Sequence, residues 1–396
     1  IGRMYQIAES NDGALFYSDY QEIRQGKKIH HPTLEYQTGS IRNDFDFGQL
    51  LLFRNDSFQQ VVAQMNTDYR FAALYELRLS ISRLGKIVHI PETLYTVQPT
   101  DLRLSGEKQF DYVDPANREV QLEMEAVCTA PLQAIGAWLA PEFQRIDFGQ
   151  ENFAREASVI IPVRNRKRTI AEAVESALQQ QTDFSFNVIV VDNHSTDGTG
   201  QILTELSRRY PNLIHHIPAS TELGIGGCWT EAILLPECGK FAIQLDSDDL
   251  YKDCHVLQRI VDTFYQENCA MVIGSYQMVD FKLEEIPPGL IAHREWTPDN
   301  GRNNALRING LGAPRAFYTP VLRQIKFPNV SYGEDYATAL AISRKYLIAR
   351  IYDPLYLCRR WEENSDHDLD IQQLNNYNFY KDKIRTLEIQ ARISGK

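Results

Sequence analysis

Several features that would assign the chain to a class are missing from its 396 residues. No apolar run approaches the roughly 18 residues that a membrane-spanning helix needs. None of the 6 cysteines forms a CxxC pair, so neither a zinc knuckle nor a redox dithiol is indicated. Basic residues number 41 against 52 acidic ones, and the net charge of −11 disfavours a nucleic-acid-binding surface.

The start of the chain shows no targeting pattern. Residues 1–19 lack the charged and apolar regions of a signal peptide. The scattered cysteines therefore favour a reduced, cytoplasmic protein in which they pack in the core. The first residue is Ile rather than Met, so we expect the sequence to be part of a longer chain.

Short apolar runs alternate with amphipathic stretches from residue 157 onward. The runs ASVIIP, NVIVV and FAIQL, and the segment 212–216, are typical of buried strands. Helical spacing is found over 168–179, 200–210 and 226–234. This alternation predicts an α/β fold with a mostly parallel sheet, in which ligands bind at the carboxyl ends of the strands.

The segment DSDD at 246–249 follows the last of these strands. Two carboxylates one residue apart can share a hard cation such as Mg²⁺ or Mn²⁺ and leave positions open for phosphate oxygens. An acidic, solvated turn would have the same sequence. The tetrapeptide alone therefore leaves both interpretations open.

The order of six motifs along the chain favours the cation-binding interpretation of this segment over a solvated turn. The chain carries ASVIIPVRN, NVIVVDNHSTDGT, ELGIGG, FAIQLDSDD, GED and LYLCRRWEENSD. This series resembles the inverting family 2 glycosyltransferases, whose fold is the Rossmann-like GT-A fold, over about 157 to 393. The resemblance implies transfer of a sugar from a nucleoside diphosphate sugar, with UDP as the expected nucleotide.

The resemblance implies a donor site at the first strands. Positions that match the nucleotide-binding motifs of the family are Pro162, Arg164, Asn165, Asp192, Asn193 and Gly224. Carboxylate and amide groups suit a base edge that carries both donors and acceptors. The sequence departs from the family at Trp229–Thr230, where many relatives carry Arg–Asn, so contacts from this helix to the diphosphate or sugar are in doubt.

The same resemblance implies the catalytic groups. Asp246 would lie on the ribose side, and Asp246 and Asp248 would hold the divalent cation, Mn²⁺ or Mg²⁺, against the diphosphate. Asp335 would be the general base, with Glu334 beside it, although acidic residues are also common at helix starts.

Basic residues near the C-terminus complete the implied site. Arg359 and Arg360, with Trp361, could close on the diphosphate, or could be surface arginines beside a core tryptophan. His367 matches a late histidine that binds the metal in some relatives, but a lone histidine is more often structural.

An internal repeat predicts the domain organisation. Residues 68–95 align without gaps with 329–356, pairing Tyr75 with Tyr336 and Tyr95 with Tyr356, although a gapped alignment would instead place Asp68 at the base position. We predict a partial GT-A-like repeat over 1–135 that lacks most catalytic motifs, a linker over 136–156, and a catalytic domain with a C-terminal helix over 157–396.

The expected function is an inverting, metal-dependent glycosyltransferase that acts on a saccharide or lipid-linked acceptor in polysaccharide or glycoconjugate synthesis. The family context implies a cytoplasmic location with peripheral association at the inner face of the membrane, and no nucleic-acid partner. The alternatives are a nucleotidyltransferase, disfavoured because 163–169 lacks glycine, a non-catalytic sugar-nucleotide-binding or scaffold protein with a decayed site, and one part of a bifunctional polymerase.

Overall fold

The computed structural model describes residues 1–24, 26–66, 68–98, 118–294, 296–361 and 370–395. The helices in chain order are α1 (Gly2–Glu9), α2 (Asn55–Val62), α3 (Ala73–Leu84), α4 (Arg118–Ala134), α5 (Ile170–Leu178), α6 (Thr199–Arg209), α7 (Ile225–Leu234), α8 (Val256–Glu267), α9 (Gly301–Asn304), α10 (Thr319–Ile325), α11 (Glu334–Ser343) and α12 (Ile371–Ile393). The strands are β1 (Leu15–Arg24), β2 (Lys27–His31), β3 (Leu52–Phe53), β4 (Ile87–Val97), β5 (Ala157–Val163), β6 (Phe186–Asp192), β7 (Leu213–His216), β8 (Phe241–Gln244), β9 (Leu250–Tyr251), β10 (Met271–Val279), β11 (Glu285–Ile291), β12 (Arg315–Tyr318) and β13 (Ile348–Arg359).

Two compact units divide the chain. One is formed by the described residues within 1–140, 298–309 and 368–396, and the other by those within 141–297 and 310–367. We refer to them as the first and the second unit. Within the described ranges, none of the helices combines the length and the apolar composition that a bilayer span requires.

The second unit is built on one mixed sheet. Its strands follow the order β7-β6-β5-β8-β12-β10-β13-β9, with β11 on β10, and β7, β6, β5 and β8 are parallel. The apolar side chains of β5 and β6 are buried because helices cover these strands, as the continuous apolar runs predict. The predicted strands and helices over 157–245 are confirmed to within about two residues at each end.

An antiparallel strand brings a later segment beside the parallel strands. β12 pairs with β8 on one side and with β10 on the other, and β10 is parallel to β13. The carboxyl end of β8, which leads into 246–249, therefore lies next to the start of β12 at Arg315. This neighbourhood positions the site described below.

The first unit contains a smaller sheet and the C-terminal helix. In that sheet β1 pairs with β2 and β3 in antiparallel fashion and with β4 in parallel. α12 belongs to this unit because its buried Asp382 accepts hydrogen bonds from Ser40 Oγ at 3.0 Å, Arg42 Nε at 3.2 Å and Arg385 Nη1 at 2.8 Å. The predicted domain of 157–396 had included this helix, and those bounds stay a prediction.

The two units share one order of elements. The series β1-β2-β3-α2-α3-β4 corresponds to β10-β11-β12-α10-α11-β13, and in each series the first and last strands are parallel with a break in register. After the break Tyr20 pairs with Tyr95, and Tyr276 pairs with Tyr356. This is the correspondence that the ungapped alignment predicts. The duplication itself stays a prediction.

Candidate active site

A buried carboxylate ends β6. Asp192 is 2% exposed, and its Oδ1 accepts a hydrogen bond from the Ser195 N–H at 2.9 Å. Its Oδ2 lies 3.3 Å from Nε2 of His215 on the neighbouring β7. Burial alone would raise the pKa of Asp192, but the hydrogen bonds from His215 and Ser195 outweigh it and hold that pKa below its usual value. Asp192 therefore carries a negative charge at neutral pH.

Asn193 follows Asp192 and offers an unused acceptor. The side chain is buried, and its Nδ2 donates to the Leu223 carbonyl at 2.7 Å. Its Oδ1 is buried without a hydrogen-bond partner among the described residues. A buried acceptor without a partner is costly, so this atom fits a donor group supplied by a ligand.

The loop after β5 packs against the loop after β6. Pro162 pairs with Val191 in the sheet, and Asn165 has a positive φ of 55°. The Asn165 N–H donates to Ser195 Oγ at 2.9 Å, and its Oδ1 accepts from the Thr196 N–H at 2.8 Å. The structure thus brings Pro162, Asn165, Asp192 and Asn193 together, while Arg164 is exposed beside them.

The glycines of ELGIGG contact the chain rather than open space. A Cβ on Gly224 would lie 2.5 Å from the carbonyl carbon of Val330, and one on Gly226 would lie 2.0 Å from the Pro328 carbonyl oxygen. The close approach that these glycines allow is therefore to the segment 328–330, which leads into α11. The predicted contact of Gly224 with a nucleotide stays a prediction.

Trp229 explains the departure from the family pattern on α7. Its side chain is 5% exposed and packs against Phe317 and Phe327, with ring centroids 5.7 and 5.2 Å away. The tryptophan therefore belongs to the core of this unit.

Asp246 is held from two directions at the end of β8. Its backbone N–H donates to the hydroxyl oxygen of Tyr356 at 2.9 Å, and its Oδ1 accepts from Gln244 Nε2 at 2.8 Å. Burial, together with repulsion from Asp248, raises the pKa of Asp246 despite the attraction of Arg315. The carboxylate therefore lies where more positive charge would be stabilising.

The next two carboxylates differ in their contacts. Asp248 Oδ2 accepts from Trp361 Nε1 at 3.1 Å and lies 3.7 Å from Arg166 Nε. Asp249 is 5% exposed, and its Oδ1 accepts from the Arg359 N–H at 2.8 Å. Burial and repulsion from Asp248 raise the pKa of Asp249 well above its usual range. Asp249 therefore holds the 246–249 loop to the backbone of Arg359, and the Asp248 carboxylate lies near the guanidinium of Arg166.

Arg359 is buried, with its side chain 2% exposed. Its guanidinium hydrogen-bonds the Asp248 carbonyl and pairs with Glu172. The side chain thus fixes residues 246–249, which we call the acidic loop. The backbone N–H of Arg360 donates to the Val279 carbonyl at 2.9 Å. The predicted diphosphate contacts of Arg359 and Arg360 stay predictions, and His367 lies outside the described residues.

Two adjacent carboxyl groups at the start of α11 have opposite environments. Glu334 is 8% exposed, and burial, followed by repulsion from Asp335, raises its pKa to about 8. Asp335 is one-quarter exposed and forms an ion pair with Arg315 through its Oδ2. At neutral pH Glu334 is therefore mostly protonated, whereas Asp335 lies beside the Arg315 guanidinium.

The acidic loop is compatible with a divalent cation when a diphosphate is present. The described ranges contain no group of three or more His, Cys, Asp or Glu side chains arranged to hold a metal ion. Mg²⁺ commonly takes one or two carboxylates and completes its shell with phosphate oxygens and water. Asp246 and Asp248 could supply two such carboxylates.

Sequence reasoning missed four residues of this site. They are His215, Gln244, Arg315 and Tyr356, which contact Asp192, Asp246, Asp335 and the backbone of Asp246. The repeat did mark Tyr356, but only as a partner of Tyr95 in the alignment. Gln244 lies in the motif FAIQLDSDD without being singled out there, and no motif contained His215 or Arg315, because their roles depend on which strands become neighbours.

Comparison with known proteins places this site in context. The model of the family described as "Glycosyl transferase family 2" matches residues 158–325. An uncharacterized glycosyltransferase of Nostoc sp. is 32% identical over 123 residues, which cover 31% of this chain and 37% of that protein. A poly(ribitol-phosphate) beta-glucosyltransferase of Bacillus spizizenii is 24% identical over 56% of this chain and 35% of its own length. This chain therefore spans little more than a third of these two relatives.

A solved structure is also similar. Residues 1–349 of S. aureus TarS, crystallised with UDP-GlcNAc, are 22% identical over 60% of this chain and 72% of that chain, with a TM-score of 0.46.

Proposed function

We propose that this chain transfers a sugar from a nucleoside diphosphate sugar to an acceptor hydroxyl, because residues 158–325 match the glycosyl transferase family 2 model. The observation that carries the proposal is the pair of carboxyl groups at the start of α11. Neighbouring carboxyl groups whose environments push their pKa values apart are typical of acid–base sites. Here Glu334 has a pKa of about 8 and Asp335 is paired with Arg315.

Asp335 is the general base of the proposed reaction. Its carboxylate takes the proton of the acceptor hydroxyl as that oxygen bonds to the anomeric carbon of the donor. The bond from the anomeric carbon to the phosphate oxygen breaks, and the nucleoside diphosphate leaves with the electron pair. Attack from the side opposite the leaving group inverts the anomeric centre. Glu334, when protonated, can donate a hydrogen bond but cannot act as the base.

The polar groups at the end of β6 support UDP as the nucleotide. A uracil edge presents one N–H donor flanked by carbonyl oxygens. The ionised Asp192 and the unpartnered Oδ1 of Asn193 are both acceptors that suit such a donor. These two residues were predicted to read the base, and their burial favours selection of one base because a mismatched edge would leave an acceptor unpaired.

Asp246 and Asp248 would hold the divalent cation of the proposed site. A bound Mg²⁺ or Mn²⁺ supplies positive charge that stabilises the leaving diphosphate. Asp249 and Arg359 keep the loop in place through the 2.8 Å hydrogen bond between them. Arg166, whose Nε lies 3.7 Å from Asp248 Oδ2, adds a guanidinium on the same side.

The proposed acceptor is a saccharide or a lipid-linked saccharide in the synthesis of a polysaccharide or glycoconjugate. The Bacillus spizizenii relative is named for glucosyl transfer to poly(ribitol phosphate), which supports a polymeric, hydroxyl-rich acceptor.

The test is release of UDP from UDP-glucose and UDP-N-acetylglucosamine with Mn²⁺ present, with and without oligosaccharide acceptors. We expect release that depends on Mn²⁺ and a product whose anomeric configuration is opposite to that of the donor. Binding of UDP, GDP, CDP and ADP should be compared by calorimetry in parallel. A folded chain that binds none of them and releases no UDP would support a non-catalytic scaffold instead.

A further inference from the structure

Arg315 links Asp246, a proposed metal ligand, to Asp335, the proposed general base. It is the first residue of β12, and its backbone N–H donates to Gln244 Oε1 at 3.1 Å. Gln244 is 3% exposed, and its Nε2 donates in turn to Asp246 Oδ1 at 2.8 Å. The buried side-chain amide of Gln244 therefore holds both the Asp246 carboxylate and the Arg315 backbone.

The side chain of Arg315 contacts the proposed general base, Asp335. Its Nη1 donates to the Gly312 carbonyl at 3.2 Å and pairs with Asp335 Oδ2. The guanidinium is thus anchored at its own loop and holds the carboxylate of the proposed base. A hydrogen-bonded path runs from Asp246 through Gln244 and Arg315 to Asp335.

The carboxyl groups around Arg315 stabilise its positively charged guanidinium. Burial alone would lower the pKa of Arg315, but the attraction of Asp335, Asp246 and Glu334 outweighs it and raises that pKa. Arg315 therefore supplies a permanent positive charge beside the Asp335 carboxylate.

We propose that Arg315 is the positioning residue of Asp335: it orients the carboxylate for proton transfer, and Gln244 couples this arrangement to Asp246. This inference rests on the proposed function. It assigns to Arg315 no contact with the nucleotide, so its loss should lower turnover and leave the affinity for the nucleotide nearly unchanged.

The experiment compares wild type, Arg315→Gln, Arg315→Lys, Asp335→Asn and the double variant Arg315→Gln/Asp335→Asn. UDP release from UDP-N-acetylglucosamine gives kcat and KM, and calorimetry gives the affinity for UDP with Mn²⁺. We expect Arg315→Gln to lower kcat about 10- to 100-fold, the effect of losing one hydrogen bond to a charged group. UDP affinity should change less than about threefold, and Arg315→Lys, which keeps the charge but not the guanidinium geometry, should recover only part of the lost kcat.

The double variant separates this role from a general structural one. If Arg315 acts through Asp335, its removal should cost almost nothing further once Asp335 is Asn. The control is Arg323→Gln, which removes another arginine of the same unit, one that donates to the carbonyls of Ile233 and Leu235 at 2.7 and 3.3 Å. This control should leave kcat unchanged.

Two results would overturn the inference while the proposed function stands. One is additive losses in the double variant, and the other is a loss of UDP affinity that accounts for the whole effect of Arg315→Gln. A wild-type chain that neither binds UDP nor releases it would overturn the proposed function, and this inference with it.

Discussion

The hydroxyl oxygen of Tyr356 accepts a hydrogen bond from the backbone N–H of Asp246 at 2.9 Å, which ties the end of β13 to the start of the acidic loop. Tyr95, the corresponding tyrosine of the first unit, also accepts hydrogen bonds from loop backbone N–H groups. The hydroxyl oxygen of Tyr95 accepts from the N–H groups of Gln49 at 2.7 Å and Leu50 at 3.3 Å. In both units a tyrosine that follows the break in register therefore holds the backbone of a loop.

Tyr356→Phe should weaken binding of UDP with Mn²⁺. The change leaves the N–H of Asp246 without its acceptor, at a cost of roughly 1–3 kcal/mol. If about 1 kcal/mol of this cost falls on ordering the acidic loop, the affinity for UDP decreases about fivefold. Calorimetry with UDP and Mn²⁺ measures the change directly.

Tyr95→Phe is the matched control for that variant. It removes an equivalent hydroxyl from the first unit, so it should lower the free energy of unfolding and leave UDP affinity as in wild type. Equal losses of UDP affinity in the two variants would show that Tyr356 has no special relation to the acidic loop.

Asp335→Asn should lower turnover by on the order of 10²-fold or more, as expected for the loss of a general base. The amide keeps the shape of the side chain, so UDP affinity should stay close to that of wild type. UDP release from a UDP-sugar gives the first quantity, and calorimetry gives the second. Asp353→Asn, on an exposed position of β13, is the control and should match wild type. Unchanged turnover in Asp335→Asn would assign the base to another residue.

Glu334→Gln should change how stability depends on pH. The pKa of Glu334 is about 8 in the folded chain against 4.5 for the ordinary group, so the native state binds the additional proton between these values. The stability associated with this group is complete below about pH 4.5 and is lost as the pH rises towards 8. Glutamine does not titrate and avoids that loss.

The variant should therefore gain stability relative to wild type as the pH rises, by roughly 1.4 kcal/mol for each unit by which the pKa is raised. Urea unfolding of both proteins between pH 5 and pH 9 measures this difference. A difference that stays constant over the whole range would contradict the assigned ionisation of Glu334.

The sequence alone predicted the elements of the second unit well. The apolar runs that became β5, β6 and β8 are buried on both faces, and such runs are legible without knowledge of the partner strands. The positions of Asp192, Asp246 and Asp335 followed from motif order, because each motif lies where a strand ends or a helix begins.

The contacts of these residues could not be predicted in the same way. Arg315 reaches Asp335, and Gln244 reaches Arg315, only because β12 inserts between β8 and β10. Nothing local in LGAPR distinguishes an arginine that pairs with the proposed base from one on the surface. Nor does the motif ELGIGG reveal that Gly224 and Gly226 lie against the backbone atoms of 328–330.

Binding of UDP to wild type and to Asp248→Asn, each with and without Mn²⁺, tests the proposed donor site most directly. Calorimetry should show UDP binding to wild type that strengthens by at least about tenfold with Mn²⁺, since the cation would bridge Asp248 and the diphosphate. In Asp248→Asn the effect of Mn²⁺ should disappear, and Asp353→Asn should behave as wild type. UDP binding to Asp248→Asn that still depends on Mn²⁺ would contradict the assignment of the metal to the acidic loop, and absence of UDP binding to the folded wild-type chain would contradict the proposed function.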